Sequence, residues 1–372
     1  MGRILIVGGY GAFGARAAER LAREPDLEIV IAGRSAAKAR EHAAMLAGSA
    51  RARITHAVLD VTTATEADVR ARAPSVLINA SGPFQQQDYR LARACIEAGC
   101  HYIDLADART FVTGIINLDR AARAANVSVI SGASSVPGIS SAAVRRMAGE
   151  LERLDEVHIG ISPGNSFDPG VATVASIIGP AGKPFLVRSG GRQITAHGWQ
   201  GLFRYRFPEI GVRWMSAVDV PDLDLFPQAY PQLSTARFSA GLEVGMFHLG
   251  LWSMSWLARA GLVRDLPPFA GPLLALKRRM SALGSDTGGM FVRVVGRDHH
   301  GARRTLVWHL IARSGDGPYV PAMAAVILAK RLVVGQGQDL EAGAMPCFEL
   351  FTLAEFEAEV ADLDITCSLE RD

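Results

Sequence analysis

The N-terminal segment Ile4-Leu5-Ile6-Val7-Gly8-Gly9-Tyr10-Gly11-Ala12-Phe13-Gly14 constrains the fold of this chain more than any other stretch. Four apolar residues in succession fit a strand buried on both faces. Glycines then break the run, and residues 15–23 are alanine-rich and helical in character. Strand, glycine turn and helix predict the first half of a βαβ unit. Glycines at 9, 11 and 14 fit the dinucleotide-binding spacing, and Gly8 makes the turn richer still. Gly9 is expected to make a tight turn, Gly11 to let backbone approach a pyrophosphate closely, and Gly14 to let helix pack closely on strand. The helix N-terminus offers N–H groups and partial positive charge to phosphate. Tyr10, Ala12 and Phe13 complete the expected phosphate-binding loop.

A second apolar run, 28–32, follows at βαβ distance and leads into Gly33-Arg34-Ser35. A site for NAD places Asp or Glu in this region to hold the ribose 2′-OH, whereas Arg34 suits a 2′-phosphate. The expected cofactor is therefore NADP (NADPH), with Arg34 and Ser35 on the phosphate. Lys38 lies one helical turn further on, as a second phosphate contact or as an ordinary surface cation.

Alternation of short apolar runs with helical patterns continues. Candidate strands fall at 3–7, 28–32, 54–59, 76–79, 102–105 and 127–130, with helices at 12–23, 36–47, 65–72, 88–98 and 114–125. This is the pattern of a complete doubly wound Rossmann domain, α/β in class, over residues 1–136. The rhythm breaks at Ser134-Ser135-Val136-Pro137-Gly138, a hinge-like sequence before a helix at 140–151. Residues 137–372 then predict a second, α+β domain with a mainly antiparallel sheet, suited to substrate binding and dimerisation. A helix at 321–334 is expected to pack back on the first domain.

Ligands of doubly wound sheets gather at the C-terminal ends of the strands. Asp60 and Val61, after the third strand, are placed to meet the adenine edge, and Asp60 alternatively caps a helix. Ala80, Ser81, Gly82 and Pro83, after the fourth, let backbone approach the nicotinamide ribose. Asp104 and Asp107 follow the fifth strand, and Tyr102 lies inside it. Tyr102, Asp107 and His309 are the candidate catalytic acids, with His309 more readily a core histidine.

Composition removes several function classes. With 49% hydrophobic and 20% charged residues the chain is not disordered, and a net charge of +2 argues against a nucleic-acid surface. Four cysteines without CxxC spacing point to a reduced, cytoplasmic compartment and to no metal site. The apolar stretch 242–257 is shorter than the ~20 residues of a bilayer span and contains Glu243 and His248. It reads as a buried or interface helix, with membrane-surface contact the lesser alternative, and 242–276 stays open as substrate groove, dimer interface or membrane-facing surface. No tyrosine has a lysine four residues on, which excludes short-chain-dehydrogenase chemistry. There is no Gly-x-Ser-x-Gly elbow, and His299-His300 falls in an expected hairpin turn.

Together, Gly8-Gly9-Tyr10-Gly11-Ala12-Phe13-Gly14, Ile31-Ala32-Gly33-Arg34-Ser35, Leu77-Ile78-Asn79-Ala80-Ser81-Gly82-Pro83-Phe84 and Ala98-Gly99-Cys100-His101-Tyr102-Ile103-Asp104-Leu105 resemble the saccharopine dehydrogenase-like family in its NADP-binding domain. The resemblance covers the first ~140 residues well and the remainder loosely. It implies NAD(P)-dependent hydride transfer at a C=N bond of an imine or secondary amine, or, as in other relatives, reduction of a C=C bond on an apolar lipid or polyketide chain. A non-catalytic NADP-binding module is the alternative from another class. Family members often carry Gly-Glu where this chain has Asp107-Ala108, and Asp-Pro-Gly where it has Val136-Pro137-Gly138. Both departures fall near the expected nicotinamide site. The reading is a homodimeric oxidoreductase acting on a small-molecule substrate.

Overall fold

The computed structural model describes residues 2–85, 87–263, 266–334 and 340–372. Arg264 and Asp265, within the apolar segment 242–276, lie outside the described residues. In chain order the strands are β1 (Gly2–Val7), β2 (Leu27–Gly33), β3 (Arg53–Val58), β4 (Val76–Asn79), β5 (His101–Asp104), β6 (Ser128–Ser131), β7 (Arg153–Ser162) and β8 (Pro184–Ser189). They continue with β9 (Arg192–His197), β10 (Phe203–Phe207), β11 (Gly211–Ala217), β12 (Thr235–Ala240), β13 (Gly288–Arg297), β14 (Arg303–Ala312), β15 (Gly343–Pro346) and β16 (Ile365–Arg371). The chain forms two compact units: Met1–Ile139 with Pro318–Phe351, and Ser140–Gly317 with Thr352–Asp372.

The first unit is built on a parallel sheet in the order β15-β6-β5-β4-β1-β2-β3. From β1 the chain winds outward through β2 and β3, then returns to the other side of β1 as β4. That reversal is the topological switch point, where the ends of β1 and β4 part to leave a crevice. Burial on both faces explains the composition of the central strands: Ile4, Leu5, Ile6, Leu77 and Ile78 are fully buried. Leu5, Leu77 and Tyr102 share one core with Leu91 and Cys95 of the helix Arg90–Ala98. The helix Val320–Val334 packs on β1, β4 and β5. Its Ala322, Met323, Ala325, Val326 and Leu328 are all inaccessible, as in a helix that is apolar on most of its circumference.

This unit departs from the expected 1–136 boundary. Besides the helix, the returning segment supplies a seventh strand, β15, paired parallel with β6 from Gly343↔Ser128 to Pro346↔Ser131. The second unit is consequently not the continuous span 137–372, because the chain leaves it at 318 and re-enters at 352.

The second unit holds a sheet in the order β10-β11-β12-β7-β13-β14-β16, antiparallel throughout except for the β12–β7 pair. The hairpin β13–β14 is the one expected around 296–304. One face carries Trp308, which meets Phe356 of the helix Leu353–Glu359 edge-on at 6.5 Å. On the other face Tyr205 stacks on Phe291 with ring centroids 3.8 Å apart. Phe291 needs glycine opposite it, since a Cβ at Gly160 would fall 2.1 Å from its ring. The helices Gly170–Ile178, Gly245–Arg259 and Ala270–Arg279 share a separate core of Val174, Ile178, Leu251 and Leu274.

Asp222 opens the helix Asp222–Ala229 and is only 1% exposed. It accepts the Ser140 hydroxyl proton at 2.5 Å, and its Oδ2 has no hydrogen-bond partner among the described residues. Burial pushes its carboxyl up to about 7. A raised carboxyl holds its proton more tightly folded than unfolded, so its stabilising contribution is complete below pH ~4 and is lost as pH rises through 7. Asp222→Asn is expected to flatten this part of the stability profile, whose limiting slope is about 1.4 kcal/mol per pH unit. Urea midpoints of both proteins between pH 4 and 8 check this, and parallel profiles would contradict it.

Candidate functional site

The glycine turn closes where β1 ends. Gly8 has φ +79°, and a Cβ there would stand 2.8 Å from the backbone C and O of Ala80. The residue that needs left-handed freedom is thus Gly8, one position before the expected Gly9. Gly9 is close-packed instead, with its missing Cβ 2.8 Å from the Ile6 carbonyl oxygen. Gly8 N–H donates to Ala32 at 2.9 Å, while the Val7 carbonyl accepts from Ala80 N–H at 2.8 Å. Adjacent backbone groups thereby bond towards opposite neighbours, β2 and β4, and the crevice opens between them.

The helix Gly14–Leu21 starts directly on this turn. Gly11 N–H donates to the Gly8 carbonyl at 2.8 Å, and a Cβ at Gly14 would lie 2.2 Å from the same oxygen. Only glycine lets the helix sit that low, with its N-terminus at the C-terminal edge of the sheet. Phe13 precedes the helix and makes no side-chain cap, and Ala12 is half-buried beside it. A dinucleotide pyrophosphate needs such a turn, cleared of side chains and backed by a helix N-terminus, so these residues fit the group.

Tyr10 leaves the turn towards β2. Its hydroxyl accepts Ser35 N–H at 3.1 Å, and its ring covers Gly33, where a Cβ would meet the phenol oxygen at 2.5 Å. Ser35 in turn caps the helix Ala36–Ala47 by accepting Lys38 N–H at 3.3 Å. The loop carrying Arg34 is therefore fixed from both sides, while the Arg34 and Lys38 side chains remain exposed. Asp60, at the end of β3, accepts both the N–H and the hydroxyl of Thr62 at 2.9 and 2.8 Å. These bonds, and then the charge of Arg34, hold its carboxyl below its ordinary value. It shapes a loop and does not cap a helix; the next helix, Glu66–Arg70, is capped by Thr65. Val61 is half-buried beside it.

Beyond the switch point, β4, β5 and β6 each end in a buried polar residue: Asn79, Asp104 and Ser131. Asn79 Oδ1 accepts the Ser81 N–H at 3.1 Å and hydroxyl at 2.5 Å, and its Nδ2 donates to Tyr102 at 3.2 Å. Ala80 and Ser81 are half-buried, and Gly82 and Pro83 are exposed. Asp104 Oδ1 accepts from Ser131 Oγ at 2.9 Å, Gly132 N–H at 2.8 Å and Ala106 N–H at 3.0 Å. Burial outweighs these donors and raises the carboxyl to about 6. The supporting roles of Ser131, Gly132 and Ala106 went unread in the sequence. A polar residue closing each of three successive apolar strands was the available signal.

The candidate acids separate by exposure. Tyr102 is 1% exposed, faces the core, and has its phenol pKa raised well above normal by burial. His309 is 3% exposed on β14 of the second unit, with Nε2 2.7 Å from the Tyr205 hydroxyl. Burial lowers its pKa, which favours a neutral core imidazole. Neither side chain is open to a substrate. Asp107 is exposed just past β5, bonded to Gln85 Nε2 at 3.3 Å, and loss of solvation from the surrounding protein raises its carboxyl pKa. No group of three or more His, Cys, Asp or Glu among the described residues can hold a metal.

The saccharopine dehydrogenase NADP binding domain family matches residues 4–130. No curated protein matches the sequence. Among solved structures, apo saccharopine dehydrogenase (L-Glu forming) from Saccharomyces cerevisiae is similar with a TM-score of 0.69, 12% identity and 100% of both chains covered. The amine dehydrogenase from Mycobacterium smegmatis gives 0.51 and 10% identity, over 94% of this chain and 96% of that one. At such identities the likeness concerns the fold, an α/β sheet unit with a second sheet-containing unit. The cofactor assignment, NADP, comes from the family matched over 4–130. Over residues 4–130 the chain carries the NADP binding domain of the saccharopine dehydrogenases, and it is an NADP-dependent oxidoreductase.

Proposed function

We propose that this enzyme transfers hydride to or from the carbon of a C=N bond, in an imine or secondary amine of small size. Asp107 carries this reading, as the one candidate acid left exposed at the C-terminal edge. Its carboxyl can supply the proton that imine reduction needs, because the nitrogen gains a proton as its carbon gains hydride. In line with this chemistry, the two similar folds are named as a saccharopine and an amine dehydrogenase.

NADPH, when bound, supplies the hydride; the chain's own residues bind, orient and deliver the proton. The turn from Gly8 to Gly14 receives the pyrophosphate, Arg34 with Ser35 and Lys38 holds the 2′-phosphate, and Asp60 and Val61 border the adenine. Ala80, Ser81, Gly82 and Pro83 border the nicotinamide ribose. The proton leaves the Asp107 carboxyl for nitrogen, and Gln85 steadies that carboxyl through its amide. We further read the protein as a cytoplasmic homodimer, the compartment resting on its four free cysteines.

The test is NADPH oxidation against matched panels of imines and enoyl thioesters. Imine turnover is expected, reduced about 10²-fold by Asp107→Asn at unchanged NADPH affinity. Enoyl turnover without imine turnover would move the reaction to C=C reduction. Tight NADPH binding with neither would leave a non-catalytic module.

A further inference from the structure

The helix Gly245–Arg259 is turned inside out for a helix that faces water. Its buried side holds His248 and Ser255 beside Leu251. These polar groups are satisfied. His248 Nδ1 accepts Leu242 N–H at 3.3 Å, its Nε2 lies 2.9 Å from the Ser216 hydroxyl, and Ser255 donates to the Trp252 carbonyl at 2.6 Å. The exposed side carries Met246 at 58%, Leu249 at 37%, Trp256 at 46% and Leu257 at 44%. Positions 246, 249, 253, 256 and 257 form one helical stripe, with only Ser253 interrupting the apolar residues. Single exposed apolar residues are ordinary; an uncharged stripe is not.

Past the helix, Leu262 is 74% exposed and Phe269 50% exposed. The helix itself has no acidic residue, and Arg259 at its end lies 5.2 Å above the Trp256 ring. Arg278 and Arg279 end the neighbouring helix Ala270–Arg279. Arg278 is paired with Asp168 at 2.8 Å, while Arg279 has no ion pair among the described residues. Glu243 and His248 argued against a bilayer span in the sequence, and both are turned away from this surface. Glu243 accepts from Asn165 N–H, Ser285 N–H and Arg213 at 2.7, 2.8 and 3.0 Å.

We propose that this face seats the protein on a bilayer surface that carries anionic lipid. No helix among the described residues is long and apolar enough to cross a membrane, so the helix lies in the interface plane. A substrate groove would enclose side chains that here stay half exposed. Trp and Leu flanked by Arg are what an anionic interface holds, with apolar groups in the acyl boundary and guanidinium groups among phosphates.

The test uses the full chain in flotation with vesicles of phosphatidylcholine alone and of phosphatidylcholine mixed with phosphatidylglycerol. Binding to the mixed vesicles is expected, about tenfold weaker on phosphatidylcholine alone and falling with salt. The double variant Leu249→Glu/Trp256→Glu is expected to lose at least about tenfold in binding, and Arg279→Gln a smaller part. Unchanged thermal unfolding and NADPH affinity verify that the variants are folded. Failure of the wild type to bind either vesicle, or equal flotation of the double variant, overturns the proposal. So does a wild-type dimer that the double variant dissociates in the absence of lipid, which would give the face to a second copy.

Discussion

Replacing Arg34 with Asp is expected to weaken NADPH binding by about two orders of magnitude and to leave NADH binding nearly unchanged. A charge-assisted guanidinium–phosphate contact is worth ~1.5–3 kcal/mol, and the introduced carboxylate adds repulsion against the 2′-phosphate. The substitution isolates charge from conformation, because the loop is held by groups other than the Arg34 side chain. Ser35 N–H is bound by Tyr10, and Ser35 Oγ caps the following helix. Lys38→Ala should cost less, since an ammonium is a point charge without the planar fork of guanidinium. Tyr10→Phe removes one hydrogen bond worth ~1 kcal/mol, so a loss of about fivefold is expected, chiefly for NADPH. Fluorescence titration with both reduced cofactors measures all three variants. An unchanged NADPH-to-NADH ratio in Arg34→Asp would remove Arg34 from the 2′-phosphate site.

Six strands of the first sheet could be read from sequence as short runs bounded by turn residues; five of them are buried on both faces, and β3 is the half-exposed edge. The seventh could not. Gly343-Ala344-Met345-Pro346 contains glycine and proline, and its pairing with β6 joins positions more than two hundred residues apart. By contrast, Phe203-Arg204-Tyr205-Arg206-Phe207 alternates like a half-exposed strand and pairs with β11 across the short turn at 208–210, a local hairpin. Cofactor-site positions were legible from the rule that ligands gather at strand ends. Catalytic candidates were not, because one residue along a strand reverses the face it presents. Tyr102, in the interior of β5, faces the helix layer, whereas Asp107 lies past the strand and stays exposed.

Asp104 gives the largest stability effect expected in the first unit. Its Oδ1 collects Ser131 Oγ, Gly132 N–H and Ala106 N–H, joining the ends of β5 and β6 at the edge where the cofactor crevice opens. Asp104→Ala leaves three buried donors without an acceptor, and at ~1–2 kcal/mol each the expected loss is ~3–6 kcal/mol. Asp104→Asn keeps an oxygen at the Oδ1 position, so a loss of no more than ~1 kcal/mol is expected near pH 5. Above that pH the comparison shifts in favour of Asn. Burial raises the Asp104 carboxyl to about 6, so the wild type binds its proton more tightly folded than unfolded. Its contribution is complete below pH ~4 and is lost as pH rises through 6, a change Asn cannot undergo. Urea unfolding of the three proteins at pH 5 and pH 8 separates hydrogen-bond loss from ionisation. Asp104→Ala should be the least stable at both pH values, and Asp104→Asn should gain on the wild type at pH 8. Equal stability of the two variants would mean that the three donors find water instead, and that this carboxyl does not hold the crevice edge together.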